Sequence, residues 1–249
     1  MSQIGGHTDN HKMNHSFIPS CRWGEDFEVN VGDVKRNLLE VKEKIAPCKP
    51  RIIGVTKYFG LDAIVKGYEA GLRDFGESRA LEAVDKIKRL PFEVRQNSKF
   101  HFIGHLQTNK ADVVVENFDV IHSLDSLKLA RVISNAACRL NKREKVLIQV
   151  NNAREEQKFG YDKEHLRTEF QNLLELEGLE IVGLMNMTPI GAPTEELRRL
   201  FAEIREFRDE LQDEYCIELS ELSMGMSNDY EIAVQEGATI IRIGRKMFN

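Results

Sequence analysis

The stretch "RIIGVTKYFG", Arg51–Gly60, contains the strand on which our prediction of the fold depends. Its first six residues are rich in β-branched side chains, as expected for a buried strand, and Lys57 follows them directly. A helical segment, Leu61–Ala70, comes next, and a second short strand, Arg73–Gly76, comes after it. This order of strand, helix and strand predicts two parallel strands joined by a crossover helix.

The same alternation continues to the end of the sequence. We predict another helix at Ser78–Leu90, followed by further strands at Lys99–Gly104, Phe118–Ser123, Lys145–Val150, Leu179–Met185, Ile217–Leu222 and Thr239–Gly244, with helices at Thr108–Glu116, Asp125–Leu140, Asp162–Leu176, Thr194–Asp213 and Asn228–Glu236. Eight such units in about 220 residues favour an α/β fold that closes into a (β/α)8 TIM barrel. The alternative is an open doubly wound sheet, which more often has fewer strands and a glycine fingerprint after the first one.

Apolar residues upstream of the first strand predict an additional N-terminal helix. Their spacing of four and three residues is that of an amphipathic helix, which ends near the prolines of "APCKP"; these residues are Phe27, Val31, Val34, Leu38, Val41 and Ile45. Residues 1–25 show no such period, so we expect a poorly ordered leader there and a single barrel domain at 26–249. Since no helix is expected in the leader, we do not interpret His7, His11 and His15 as metal ligands.

Composition excludes several classes of protein. A chain of 249 residues with 41% hydrophobic and 30% charged residues is typical of a soluble globular protein. The net charge of -5 argues against a nucleic-acid binder. No apolar run approaches the roughly 20 residues that span a membrane. Four cysteines lie far apart without a CxxC pair, which indicates neither a zinc site nor disulfides and favours the cytoplasm.

Lys57 is the first candidate functional residue, because active sites of such barrels form at the carboxyl ends of the strands. Strand alternation puts Lys57 on the same face as Ile53 and Val55. If that face points into the barrel, partial burial lowers the pKa of the amine and prepares it to form a Schiff base with a carbonyl. The alternative is a lysine whose stem lies along the strand while its ammonium stays in water.

Two loops near the end of the sequence predict a phosphate site. In "SMGMSNDYE", Ser223–Glu231, Asn228 and Glu231 resemble a capping box, and Ser227 offers a hydroxyl beside a helix N-terminus. The second loop is "RIGR", Arg242–Arg245, after the eighth strand. Barrels most often bind phosphate after the seventh and eighth strands. The alternative, for the first loop, is a plain helix cap.

Other polar residues near strand ends receive less weight. His101, His105 and His122 are interpreted as core or rim histidines with satisfied hydrogen bonds, although an inward catalytic histidine stays open. Gln107, Asn109 and Lys110 either line the mouth of the barrel or belong to the start of the next helix. Neither a Ser/His/Asp triad, nor HExxH, nor GxxxxGK[ST] occurs, so hydrolase, zinc protease and P-loop functions lack their residues.

Several motifs together resemble the pyridoxal phosphate homeostasis protein family over about Val29–Phe248. They are "GVTK", "DFGES", "FHFIGHLQTNK", "QVNNAREEQKFG", "VGLMNM" and "LSMGMSNDYEIAVQEGATIIRIG". The resemblance implies a barrel like the N-terminal domain of alanine racemase, with pyridoxal 5'-phosphate (PLP) as cofactor. It further implies site residues, which are Lys57 for the aldimine, Arg242 for the pyridine nitrogen, Ser227, Gly244 and Arg245 for the phosphate, and Ser78 and Met224 as further contacts.

This sequence departs from the family's usual pattern at three places. Family members usually have asparagine where Ser78 stands, threonine or serine where Arg245 stands, and often a proline soon after the lysine where this chain has "YFG". Ser78 therefore lacks an amide near the cofactor. Arg245 keeps the backbone donor but replaces a neutral hydroxyl with a cation, so the departures concern fine contacts to the cofactor and not Lys57.

The resemblance implies a PLP-binding protein of vitamin B6 and amino-acid homeostasis that holds PLP without appreciable turnover. We expect a cytoplasmic monomer or weak homodimer, with PLP-dependent apoenzymes as candidate recipients. Arg242 at the pyridine nitrogen would disfavour ring protonation and so weaken the ring as an electron sink. One alternative is a PLP-dependent amino-acid racemase, but the sequence ends five residues after Gly244, which leaves no second domain to supply a tyrosine. The other is a barrel enzyme that binds a different phosphorylated metabolite.

Overall fold

A computed structural model of the chain describes residues 29–153 and 159–249. The predicted leader with its histidines, and Phe27 of the first predicted helix, lie outside the described residues. The described part forms a closed barrel in which parallel strands pair in chain order from β1 to β8, and β8 pairs with β1. The (β/α)8 prediction is therefore confirmed, and the open sheet is wrong.

The elements follow the predicted alternation closely. The strands are Arg51–Val55 (β1), Asp74–Glu77 (β2), Lys99–Phe102 (β3), Val120–Leu124 (β4), Glu144–Gln149 (β5), Leu179–Met185 (β6), Glu221–Met226 (β7) and Ile240–Ile243 (β8). The helices are Val31–Lys44 (α1), Leu61–Glu69 (α2), Ala80–Arg89 (α3), Phe92–Gln96 (α4), Ala111–Asn117 (α5), Leu127–Arg139 (α6), Lys163–Leu174 (α7), Thr194–Tyr215 (α8), Tyr230–Gln235 (α9) and Arg245–Phe248 (α10), with a 3-10 turn at Thr108–Lys110.

Two predictions about the last third of the chain are wrong. The seventh strand lies four residues further along than the predicted Ile217–Leu222. The capping box of Asn228 and Glu231 does not form, because α9 begins at Tyr230 and makes no side-chain cap hydrogen bond. Instead, Oδ1 of Asp229 accepts a 2.6 Å hydrogen bond from the backbone N–H of Met226, which closes the turn after β7.

The sheet separates two apolar regions. Its outer face packs against the helices, and there Gly54 leaves room for Leu72 and Phe248. The barrel interior holds a smaller cluster that includes Ile53 and Val55. The face of β1 that was predicted to carry Lys57 therefore does point into the barrel.

The additional N-terminal helix is confirmed as α1. Asn30 caps it by accepting a 2.7 Å hydrogen bond from the N–H of Gly32. On the same helix, Nδ2 of Asn37 donates to the carbonyl oxygens of Met247 at 3.2 Å and Asn249 at 3.0 Å. These hydrogen bonds thus join α1, the first described helix, to the end of α10, the last one. None of the helices in the described ranges is long and apolar enough to cross a membrane.

Candidate functional site

Lys57 lies just beyond β1 at the carboxyl end of the barrel. Its side chain is half-buried, and its Nζ lies 5.0 Å from the ring centroid of the exposed Tyr58. Within the described part of the chain, no hydrogen bond or ion pair engages the ammonium. Lys57 therefore offers a nitrogen that a ligand can bind without displacing a hydrogen-bond or ion-pair partner among the described residues.

Buried polar contacts fix the backbone that carries Lys57. Thr56 donates through Oγ1 to Oε1 of Glu77 at 2.8 Å, and its N–H donates to the carbonyl of Gly76 at 3.0 Å. Lys86 donates to the same oxygen of Glu77 at 2.8 Å and to the carbonyl of Thr56 at 3.1 Å. The end of β1 is therefore held by β2 and α3.

Ser227 and Gly244, both predicted to bind phosphate, lie together. The N–H of Gly244 donates to Oγ of Ser227 over 3.3 Å. A Cβ placed on Gly244 would lie 3.7 Å from Cβ of Val55, so this pair is adjacent to the end of β1. The predicted phosphate residues and Lys57 thus share one region of the barrel mouth.

Gly225 brings α9 close to β7 and so shapes the loop that carries Ser227. Its φ of +90° is in the region that favours glycine. A Cβ there would lie 2.5 Å from Cβ of Ala233 and 3.0 Å from Cα of Tyr230. A side chain at this position would therefore push the helix away from the strand.

Arg242 is buried in the barrel, opposite Ile53 in the register of β8 and β1. It donates to the carbonyl and the hydroxyl of Ser223, both at 2.7 Å, and to the carbonyl of Asn186 at 2.8 Å. Burial lowers the pKa of the guanidinium to about 10, while the charge of Asp229 acts in the opposite direction. The group is thus a buried cation held by neutral oxygens, two residues before Gly244.

The remaining predicted contacts are more scattered. Arg245 is exposed at the start of α10, where its backbone N–H follows Gly244. The Met224 side chain packs in the outer cluster, which leaves only its backbone for a ligand at the mouth. Ser78 is half-buried and lines a cavity of about 320 Å³ together with Gln107 and Lys110. This cavity lies beside the loops that follow β2 and β3.

The three histidines divide into two groups. His101 and His122 are buried, and their rings are joined by a 2.9 Å contact between Nδ1 of His101 and Nε2 of His122. His105 is at the rim, where Nδ1 lies 3.0 Å from Oδ2 of Asp125 and the ring stacks on Phe159 at 3.6 Å. Core and rim positions with satisfied hydrogen bonds are therefore confirmed. Among residues 29–153 and 159–249, no three His, Cys, Asp or Glu side chains are grouped to hold a metal ion.

Comparison with known proteins identifies the family. The model described as "Alanine racemase, N-terminal domain" matches residues 29–249. A pyridoxal phosphate homeostasis protein of Aquifex aeolicus (strain VF5) is 41% identical over 198 residues, which cover 80% of this chain and 86% of the relative. The chain belongs to the pyridoxal phosphate homeostasis protein family.

A solved structure of a relative carries the cofactor. PipY of Synechococcus elongatus PCC7942, determined with PLP bound, is 38% identical to this chain and superposes with a TM-score of 0.79. The match covers 87% of this chain and 100% of PipY. Curated members of the pyridoxal phosphate homeostasis protein family are named for homeostasis and not for a reaction.

Alanine racemase shares the fold of the pyridoxal phosphate homeostasis protein family. The enzyme of Clostridium difficile 630 superposes with a TM-score of 0.68 at 17% identity, and the match covers 88% of this chain and 57% of the racemase. At that identity the likeness shows the architecture alone. It is consistent with the expected barrel and assigns no catalysis to this chain.

Proposed function

We propose that this protein binds PLP through Lys57 and serves vitamin B6 and amino-acid homeostasis by holding and releasing the cofactor. The observation that carries the proposal is the half-buried Lys57 without a hydrogen-bond or ion-pair partner among the described residues, beside the paired Ser227 and Gly244. The PLP-bound structure of PipY supports the choice of cofactor.

The chemistry of the residues present fits PLP. The cofactor would supply an aldehyde, and Lys57 would hold it through its amine in a reversible covalent bond that forms with release of water. The Ser227 hydroxyl and the backbone N–H groups of Gly244 and Arg245 would hold the phosphate. Arg242 would face the pyridine nitrogen, with Ser78 and the backbone of Met224 as further contacts.

The character of Arg242 supports holding PLP without appreciable turnover. A guanidinium cannot accept a proton and disfavours a positive charge on a facing ring nitrogen. The ring is then a weaker electron sink than it would be opposite a carboxylate. The described residues place no carboxylate in hydrogen-bonding contact with Arg242, although Asp229 is near enough to affect its pKa.

Borohydride reduction followed by peptide mass mapping tests the assignment. With PLP present, we expect modification of Lys57, and no modification in a Lys57→Ala variant. Lys110→Ala, which changes a lysine beside the separate cavity, is the matched control and should be modified like the wild type. Modification at another lysine would contradict the proposal, as would a Lys57→Ala variant that stays yellow through extensive dialysis.

Incubation with enantiopure alanine or serine tests the absence of turnover. We expect the enantiomer to persist, and racemisation at an enzyme-like rate would show a racemase instead. If added PLP produced no visible absorbance band, a different phosphorylated ligand would be the better assignment.

We further propose that the protein functions in the reducing cytoplasm as a monomer or weak homodimer and transfers PLP to apoenzymes. Cys48, Cys138 and Cys216 are free and exposed, which suits a reducing compartment. Light scattering over a range of concentrations checks the oligomeric state. Activation of a PLP-dependent apoenzyme by the loaded protein checks transfer.

A further inference from the structure

A chain of hydrogen-bonded polar side chains crosses the barrel interior and ends at Arg242. Asp74 Oδ1 lies 3.0 Å from Nε2 of His101, and His101 Nδ1 lies 2.9 Å from Nε2 of His122. His122 Nδ1 lies 2.9 Å from Oγ of Ser223, which accepts the 2.7 Å hydrogen bond from Arg242. We call these five residues the relay. It joins β2, β3, β4, β7 and β8 in a region that such barrels usually fill with apolar side chains.

The two ends of the relay have different surroundings. His101 and His122 are 1% and 0% exposed, and Ser223 is also fully buried. The Asp74 side chain is 19% exposed, and its Oδ1 lies 3.7 Å from Nε of Arg51, whose Nη1 lies 3.3 Å from Oε1 of Glu221. The relay therefore begins at a partly hydrated carboxylate paired with Arg51 and ends at a buried guanidinium.

Donor and acceptor roles along the relay follow from its two ends. When the relay begins with an ionised Asp74, which only accepts, a His101 ring with one proton carries it on Nε2 and accepts at Nδ1. His122 must then donate from Nε2 and accept at Nδ1, where the available donor is the Ser223 hydroxyl. Arg242 donates only. The lone pairs of Ser223 Oγ are consequently directed toward the guanidinium.

This direction of the relay requires one proton on each histidine ring. Burial lowers the pKa of His122 well below its usual range, and a positive charge on His101, Arg242 or Arg51 lowers it further. The charged and titratable groups that surround the ring thus come from β1, β3 and β8. A neutral His122 is what the Ser223 hydroxyl needs as an acceptor.

We propose that His101, His122 and Ser223, anchored by Asp74, are positioning residues that direct the Arg242 guanidinium toward the pyridine nitrogen of PLP. The inference rests on the proposed function, because Arg242 has that role only when PLP is bound. Without His122 as acceptor, the Ser223 hydroxyl proton no longer has one fixed direction. Arg242 then loses an acceptor whose lone pairs have a single orientation. A buried polar chain of this kind specifies one arrangement only when each member is satisfied.

One test needs no cofactor. Long-range proton–nitrogen NMR of the protein labelled with ¹⁵N-histidine distinguishes the tautomers directly. At neutral pH we expect His101 and His122 to be neutral and protonated at Nε2. A protonated Nδ1 on His122, or an imidazolium on either ring, would overturn the relay direction whatever the protein binds.

The second test measures PLP binding to variants. We expect Ser223→Ala and His122→Phe to shift the visible absorbance band of bound PLP and to raise its Kd by at least about five-fold, the loss of one net hydrogen bond. Ser123→Ala is the matched control, because Ser123 follows His122 on β4 and its buried hydroxyl has no partner among the described residues. Its band and Kd should match the wild type. If His122→Phe does not fold, Ser223→Ala alone decides.

A double-mutant cycle separates positioning from a general structural effect. In an Arg242→Lys background, Ser223→Ala should leave the band unchanged, because the relay acts through the guanidinium. An equal shift in both backgrounds, or no shift in the wild-type background, would overturn the inference. If wild type itself formed no covalent PLP complex at Lys57, the proposed function would fail, while the NMR test would still decide the relay.

Discussion

Nζ of Lys86 lies 2.8 Å from Oε1 of Glu77, and the two side chains are only 8% and 1% exposed. The same oxygen accepts a hydrogen bond from Thr56, the residue before Lys57. A buried ion pair thus fixes the end of β1. A pair of this kind costs desolvation energy when it forms, and it leaves an uncompensated charge when one partner is removed.

Lys86→Met is therefore expected to lower the free energy of unfolding by about 3 to 5 kcal/mol, since Glu77 would stay buried without its cation. Urea denaturation measures the change. The control is Arg89→Met on the same helix, which removes an exposed pair with Asp85 and should cost less than about 1 kcal/mol. Equal losses of unfolding free energy in the two variants would contradict this expectation, because the buried pair would then contribute no more than the exposed pair.

Glu144 gives the stability a predictable dependence on pH. Burial raises the pKa of this carboxyl to about 7, against the smaller opposing effect of Lys142. Because folding raises the pKa of Glu144, the protonated carboxyl makes its full contribution to stability below the unfolded-state pKa of 4.5. This contribution is lost as pH rises through the folded-state pKa of about 7. When pH is raised from about 5 to about 8, the unfolding free energy of Glu144→Gln should increase by about 2 to 3 kcal/mol relative to that of wild type.

Urea denaturation at both pH values measures that gain. Glu180→Gln, on the neighbouring strand and 43% exposed, is the control and should change by less than about 0.5 kcal/mol. A Glu144→Gln variant whose stability follows that of wild type over this range would contradict the assignment.

Gly225→Ala is expected to weaken both the fold and PLP binding. The new Cβ would meet Ala233 at 2.5 Å in a backbone conformation of φ +90°. We expect a loss of about 1 to 3 kcal/mol in unfolding free energy and a raised Kd for PLP, because the loop that carries Ser227 moves. Gly60→Ala has nothing within 4 Å of the new atom, and it should leave the Kd unchanged.

Ser227→Ala should weaken PLP binding without a large loss of stability. The variant would lack the proposed hydrogen bond from the Ser227 hydroxyl to the charged phosphate, an interaction of about 1.5 to 3 kcal/mol. The Kd should therefore rise by about ten-fold or more, with the Lys57 modification still detectable after reduction. Ser98→Ala, which removes a buried hydroxyl without a partner among the described residues, should bind like wild type.

Most of the fold could be predicted, because strand and helix periods are local properties of the sequence. The error at β7 has a physical cause. Ile217–Leu222 has the apolar spacing of a strand, whereas Gly225 indicates a turn. In the barrel, β7 must pair with β6, where Gly183 faces Glu221 and Met185 faces Ser223, and this pairing decides where the strand lies.

The site was predictable only in part. The inward face of Ile53 and Val55, which Lys57 follows along the chain, could be predicted because alternation within one strand is readable from the sequence. The relay could not be predicted, because its members come from strands whose mutual register is a tertiary property. The alternation of His101 with Ile103 was the available signal for an inward ring, but nothing local linked that ring to Ser223, on a strand more than 100 residues away.

The pairing of β1 with β8 also has a consequence for biosynthesis. Lys57 is translated well before Arg242 and Gly244. Until those residues are translated, the β1 edge has no final neighbour, and Lys57 lacks the loop that is proposed to bind phosphate. A polypeptide truncated before Arg242 would therefore present Lys57 without that loop, and on the proposed function it would not retain PLP.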